Sequence, residues 1–148
     1  MSTFVDYVIG RKKNDKRFES EMRHAHLEKG IFNAYKNIDS FCNTEREIKI
    51  YALIGAMLVI NKVKSNGYVK LGEAFRKAYE TSTTGELRFK KLLKCKDSEE
   101  MCDYLRHMFP FFNSKGLRLD YADILNDLLY FTERRKIKWI RDFYQKGE

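Results

Sequence analysis

Eleven consecutive residues, Ile50-Tyr-Ala-Leu-Ile-Gly-Ala-Met-Leu-Val-Ile60, carry no charge and almost no polar atom. At helical spacing their side chains point in every direction, so a helix here keeps no face for water and must be buried on all sides. It is too short to span a bilayer, which takes about 20 residues. Other segments must therefore enclose it, and the simplest solution lays several amphipathic helices around it, stripe inward.

Those segments are present. Phe4, Val5, Val8 and Ile9 recur at helical spacing, and so do Phe18, Met22 and Ala25 after a cap at Asn14 or Asp15. Ile31, Phe32, Tyr35 and Ile38 form the apolar side of a short helix after Gly30, and Asn43-Thr-Glu-Arg46 caps the central helix. Asn66-Gly67 is a turn, and Leu71, Ala74, Phe75 and Ala78 mark a further helix. In the second half Phe89, Leu92 and Leu93 share one face. Ser98 with Glu99 and Glu100 opens a helix that Pro110 stops. Tyr121, Ile124, Leu125 and Leu128 line the next, with Tyr130 and Phe131 also read as core. In the last helix Ile137, Ile140, Phe143 and Tyr144 cover the apolar arc, with Trp139 at its edge.

One proline and eight glycines in 148 residues suit helices and argue against a many-turned β sandwich. The expected fold is all-α, two small helical bundles packed together. Thr81-Ser-Thr-Thr-Gly85 sets the boundary between residues 1–80 and 81–148.

The outward faces are basic. Lys and Arg number 29 against 21 acids, a net charge of +8, which raises the prior on an anionic partner such as nucleic acid. Arg134, Lys138 and Arg141, flanked by Arg135, oppose the apolar arc of the last helix. No zinc finger, RNP motif or helix-turn-helix is evident, so the expected mode is contact with the phosphate backbone without base readout. Three cysteines, Cys42, Cys95 and Cys102, are an odd number without a CxxC and read as small buried hydrophobes in a reducing compartment. The stretch Met1–Gly10 lacks the pattern of a signal peptide, so the expected location is the cytoplasm.

Catalytic chemistry finds little support. His24 and His26 point about 200° apart on a helix and do not converge on a metal. Asp120, Asp123 and Asp127 share one helix face at i, i+3 and i+7, a spacing that could hold Mg²⁺ for phosphodiester cleavage. A solvated acidic face accounts for the same spacing. Met108-Phe-Pro-Phe-Phe112 and the tyrosines could stack bases, though aromatics at helical spacing are more often core. No catalytic residue, metal or cofactor is expected.

Several motifs in order carry a family resemblance. Glu21-Met-Arg-His-Ala25 is followed by Leu71-Gly-Glu-Ala-Phe75 and Glu86-Leu-Arg-Phe-Lys-Lys-Leu-Leu-Lys94. Leu105-Arg106 and Trp139-Ile-Arg-Asp-Phe-Tyr144 complete the series. Together they resemble the CasB family, the small subunit of the type I-E CRISPR Cascade complex. The resemblance spans roughly Lys16 to Tyr144.

It implies a non-catalytic subunit that sits as a head-to-tail pair among the other Cascade subunits. There it would stabilise the R-loop by contacting the displaced single-stranded DNA, with guide RNA or target duplex as further candidate partners and no membrane. Position by position, it carries nucleic-acid contact to Arg23, Arg46, Arg88, Lys94, Arg106 and Arg134. Lys62, Lys64 and Arg135 are additional basic candidates. Departures are His24 and His107 where a second arginine is common, and Tyr130 and Phe131 where a tryptophan is usual; a neutral imidazole is the poorer phosphate partner. Two rival readings stand beside this one, a free-standing non-specific nucleic-acid-binding protein and a metal-dependent nuclease on the Asp120 face.

Overall fold

The computed structural model describes residues 3–145; Met1 and Ser2, the start of the stretch tested for a signal peptide, lie outside the described residues. Among the described residues the fold is all-α, nine α-helices and one short 3-10 turn. Contacts divide the chain into two compact units, Met1–Asn66 and Gly67–Glu148.

In the first unit, α1 (Thr3–Asn14) leads to Asp15, whose carboxylate accepts the Phe18 N–H at 3.0 Å and opens α2 (Lys16–Arg23). Then come α3 (Ile31–Ile38), a 3-10 turn (Asp39–Phe41) and α4 (Glu45–Ile60), which starts where the Thr44 hydroxyl accepts the Glu47 N–H at 3.2 Å. The apolar run behaves as its composition demands: Ile50 and every residue from Ala52 to Val59 are buried, with α1, α2 and α3 packed against α4. Phe4 sets its ring edge-on to Tyr51 at 4.8 Å and to Phe41 at 4.9 Å. A Cβ at Gly55 would strike Met22 Cε, so the missing methyl group lets α2 seat its methionine on α4.

The apolar side expected for α3 is turned. Phe32 is 86% exposed and Tyr35 is exposed, while Ala34, Asn37 and Ile38 face inward. The reason is polar: Asn37 Nδ2 donates to Glu21 Oε1 at 3.0 Å, which draws that side of α3 towards α2.

In the second unit an isolated parallel bridge pairs Val69 with Leu119, and the Asp120 N–H donates to the Val69 carbonyl at 2.9 Å. From it run α5 (Leu71–Lys77), α6 (Ser82–Leu93), α7 (Ser98–Ser114), α8 (Tyr121–Leu129) and α9 (Glu133–Tyr144). Their N-termini are closed by the side chains of Thr81, Asp97, Asp120 and Thr132, from α6 onward. Helix α5 packs against both α6 and α9. Phe75 meets Phe112 at 5.0 Å, and Phe89 stacks on Phe143 at 4.8 Å. A Cβ at Gly72 would strike the carbonyl oxygen of Trp139, so backbone approaches backbone where α5 meets α9.

Three of the expected details are corrected by the packing. Pro110 does not stop α7, which continues to Ser114; Phe109 and Phe112 are both buried, and their packing holds the helix across the proline. The buried arc of α9 centres on Trp139 and Phe143, leaving Ile137 and Tyr144 more than half exposed, because close contact with α5 selects that side. Tyr130 is 63% exposed, not core. The Thr81–Gly85 stretch is a cap and first turn inside the second unit, and the contact division falls at the Asn66-Gly67 turn. No helix among the described residues is long and apolar enough to cross a membrane.

Candidate nucleic-acid interface

The basic face of α9 is built over one buried carboxylate. Asp127 on α8 has a side chain only 1% exposed, and a lone carboxylate there would be costly without donors around it. It has three. Trp139 Nε1 donates to Oδ2 at 2.8 Å, Arg135 donates to Oδ1 at 2.9 Å, and Lys138 Nζ reaches Oδ2 at 2.9 Å. Lys138 also holds Asp123 at 2.8 Å, and Lys70 bridges Asp120 at 2.9 Å and Asp123 at 3.7 Å. Three cations thus match three carboxylates.

Burial alone would lower the Lys138 ammonium, but hydrogen bonds to Asp123 and Asp127 outweigh it and hold it above its ordinary value. Lys70 is raised in the same way, burial being overcome by Asp120 and then Asp123. Nearby Asp142 is raised by its burial, against the pull of Lys138 and Lys70.

The Asp120/Asp123/Asp127 face is therefore an internal ion-pair cluster. Each carboxylate has an ammonium or guanidinium within 2.9 Å, and Asp120 Oδ1 also caps α8 by accepting the Asp123 N–H at 3.1 Å. Among the described residues no group of three His, Cys, Asp or Glu is placed to hold a metal ion. His24 Nδ1 lies 3.3 Å from the Ser20 carbonyl. Burial pushes the Cys42 thiol up to about 11, aided by Glu47 and Asp39, and raises Cys95 as well; Cys102 is buried outright.

Above the cluster lies an open concavity of about 650 Å³, walled by Tyr130, Arg134, Arg135, Ile137, Lys138 and Arg141. Arg135 and Lys138 are tied to Asp127, whereas Arg134 and Arg141 are exposed and make no ion pair among the described residues. The groove thus presents two uncommitted guanidiniums on a wall whose other charges are matched. Arg135 lies over the Tyr130 ring, 5.9 Å from its centre.

Of the nine positions expected from sequence, only Arg134 and Arg135 share this groove. Arg88 and Lys94 are exposed on α6 and at its C-cap, and Arg106 is half-buried on α7. In the first unit Arg23 pairs with Glu19 at 3.5 Å, and Arg46 is half-buried in the first turn of α4. Lys62 takes the left-handed position after α4 (φ 54°), where its N–H bonds the Val59 carbonyl and the Val63 N–H bonds that of Leu58. Lys64 joins a second basic patch there. Burial lowers the Lys12 ammonium, Glu19 opposes that, and Lys13 and Lys64 lower it further.

The nine positions omit four of these wall residues, Tyr130, Ile137, Lys138 and Arg141. Lys138 and Arg141 lie on the basic arc of the last helix, and Arg141 falls within the Trp139–Tyr144 motif, but the resemblance carries no contact to either. Tyr130 was hidden by its apolar neighbours, and its one signal is its place between the end of α8 and the Thr132 cap.

Residues 11–144 match the family model of the CRISPR-associated protein Cse2. The fold is similar to the crystal structure of a CRISPR-associated protein of the Cse2 family from Thermus thermophilus. The TM-score is 0.78 at 21% identity, over 97% of this chain and 99% of that one. It is also similar to the crystal structure of CasB from the same organism, with a TM-score of 0.73 at 22% identity over the same shares. A search of the curated proteins gave no match.

Proposed function

The chain belongs to the family of the CRISPR-associated protein Cse2, and from that premise we propose that it is a non-catalytic small subunit of a type I-E Cascade complex. In this reading a head-to-tail pair of copies lies among the other subunits and keeps the R-loop open by holding the displaced DNA strand. Sequence selection belongs to guide pairing, and the protein meets the phosphate backbone.

The observation that carries the reading is the α9 groove. Arg134 and Arg141 stand uncommitted there, over a cluster in which the nuclease-like carboxylates already have their own cations. Arg23, Arg46, Lys62, Lys64, Arg88, Lys94 and Arg106 are proposed as further backbone contacts or as contacts to neighbouring subunits.

The test is R-loop lifetime on a matched target, in a complex assembled with and without this protein. Omission is expected to shorten the lifetime. Wild type restores it, whereas Arg134→Glu with Arg141→Glu does not. Each single-strand phosphate contact contributes about 0.7 to the salt slope, so losing two should lower it by roughly 1.4. A protein that never joins the complex overturns the subunit reading; full rescue by the double variant removes the α9 groove from it.

A further inference from the structure

Tyr130 stands exposed at the end of α8. Its N–H is bonded to the Asn126 carbonyl, and two residues later the Thr132 hydroxyl caps α9 by accepting the Arg135 N–H at 3.3 Å. The backbone on both sides is thus fixed, and the ring is presented outward, 63% exposed. No aromatic ring packs on it among the described residues. It is adjacent to Phe131, which does turn inward, onto Trp139 at 5.2 Å. The same wall carries Ile137, itself 52% exposed.

A groove made only to hold phosphates gains nothing from an exposed aromatic and an exposed isoleucine. Water penalises both, and neither attracts an anion. A groove for an unpaired nucleotide uses them directly, because the flat face of a base stacks on an aromatic ring while cations hold the backbone beside it. The Arg135 guanidinium, anchored on Asp127, lies over the ring and holds it in place. Tyr130 lines the same concavity as Arg134 and Arg141.

We propose that Tyr130 is a base-stacking platform, with Ile137 as its apolar flank, so that the α9 groove takes an unpaired nucleotide by its base as well as by its phosphate. This rests on the nucleic-acid reading of the same groove and deepens it: the ligand class is single-stranded, and a duplex, whose bases are already stacked inside, gains nothing from Tyr130.

The probes are two fluorescently labelled strands of equal length, oligo-dT and an abasic strand with the same phosphates, titrated at low salt against the purified full chain. Wild type is expected to bind oligo-dT more tightly than the abasic strand. Tyr130→Ala should weaken oligo-dT by about 5- to 150-fold, the span that base–aromatic stacking gives on alanine substitution, and leave the abasic strand unchanged. Tyr130→Phe should retain the preference, since the ring and not the hydroxyl carries it. Arg134→Glu with Arg141→Glu should weaken both strands together. Equal wild-type affinity for the two strands, or an equal loss on both in Tyr130→Ala, overturns the stacking role and leaves the groove as a backbone site. If wild type binds neither strand, the nucleic-acid reading of the groove falls and the stacking role with it.

Discussion

The two units carry the same net charge and hold it in different ways. Met1–Asn66 has 12 basic against 8 acidic residues and Gly67–Glu148 has 17 against 13, an excess of four in each. In the first unit most of the ion pairs join neighbours one helical turn apart on the surface: Arg11 with Asp15, Arg17 with Glu21, Arg23 with Glu19. Such pairs contribute little, a few tenths of a kcal/mol each. Among the described residues the second unit has two pairs of that kind, Lys77 with Glu73 and Lys90 with Glu86. It adds the cluster on Asp127, whose members come from the turn before α5, from α8 and from α9. Net charge therefore says nothing about which cations are available. What decides it is whether a carboxylate has been buried beneath them.

The sharpest way to break this comparison is through the two close helix approaches. Gly72→Ala sets a methyl group against the backbone oxygen of Trp139, which cannot move without shifting α9, and should cost about 4 kcal/mol or more in urea unfolding. Gly55→Ala in the first unit meets only the end of the flexible Met22 side chain, so about 1–3 kcal/mol is expected. Equal costs would mean that both contacts yield alike.

Next in size are the carboxylates. Asp127→Ala leaves Trp139 Nε1, Arg135 and Lys138 without their shared acceptor and should cost about 3–5 kcal/mol by the same measurement. Glu19→Ala removes a half-exposed partner of Arg23 that also lies near Lys12, and should cost less than about 1 kcal/mol. A small effect at Asp127 would place the cluster on the same footing as the surface pairs.

The smallest expected effect is alkaline. Lys138 is held above its ordinary value of 10.5 in the folded chain. A lysine raised on folding contributes stability that is complete below its unfolded value and fades as pH climbs through its folded one. The stability gap between wild type and Lys138→Gln should therefore be constant up to about pH 10 and close above it. Lys12 is shifted the other way, so wild type should gain stability relative to Lys12→Gln as pH climbs to the ordinary lysine value, the opposite sign. Stability measured from about pH 8 to about pH 11.5, a range that brackets the ordinary lysine value, checks both.

Much of the fold was legible because local chemistry and tertiary packing agree. The apolar run could only be a buried helix, and α4 is one. Asp15, Thr81 and the Asn43–Arg46 segment mark helix starts, since a side-chain oxygen must meet the orphan N–H groups wherever a helix begins. Pro110 misled because the cost of a proline inside a helix, about 3 kcal/mol, is offset by the burial of Phe109 and Phe112 on either side of it.

The last helix misled in another way. The apolar arc of this twelve-residue helix is wide enough to admit more than one rotation, and the approach of α5 at Gly72 selects the one that buries Trp139. The candidate site suffered most. Spacing showed three carboxylates on one face, but their cations come from 8 to 50 residues away, a pairing that no helical wheel contains. The same long-range pairing sets Arg135 apart from its neighbour Arg134, although the two look alike in sequence.

The Asp127 anchor also has an entropic consequence for binding. Fixing a mobile lysine or arginine side chain costs about 1.5–2 kcal/mol of rotamer entropy. Arg135 and Lys138 give up that freedom when the chain folds, with Asp127 as the reason. A ligand entering the α9 groove then restricts two arginines in place of four cations. Association there should therefore cost less conformational entropy, and be tighter, than at an equally charged groove of free side chains, since half of its ordering has already happened.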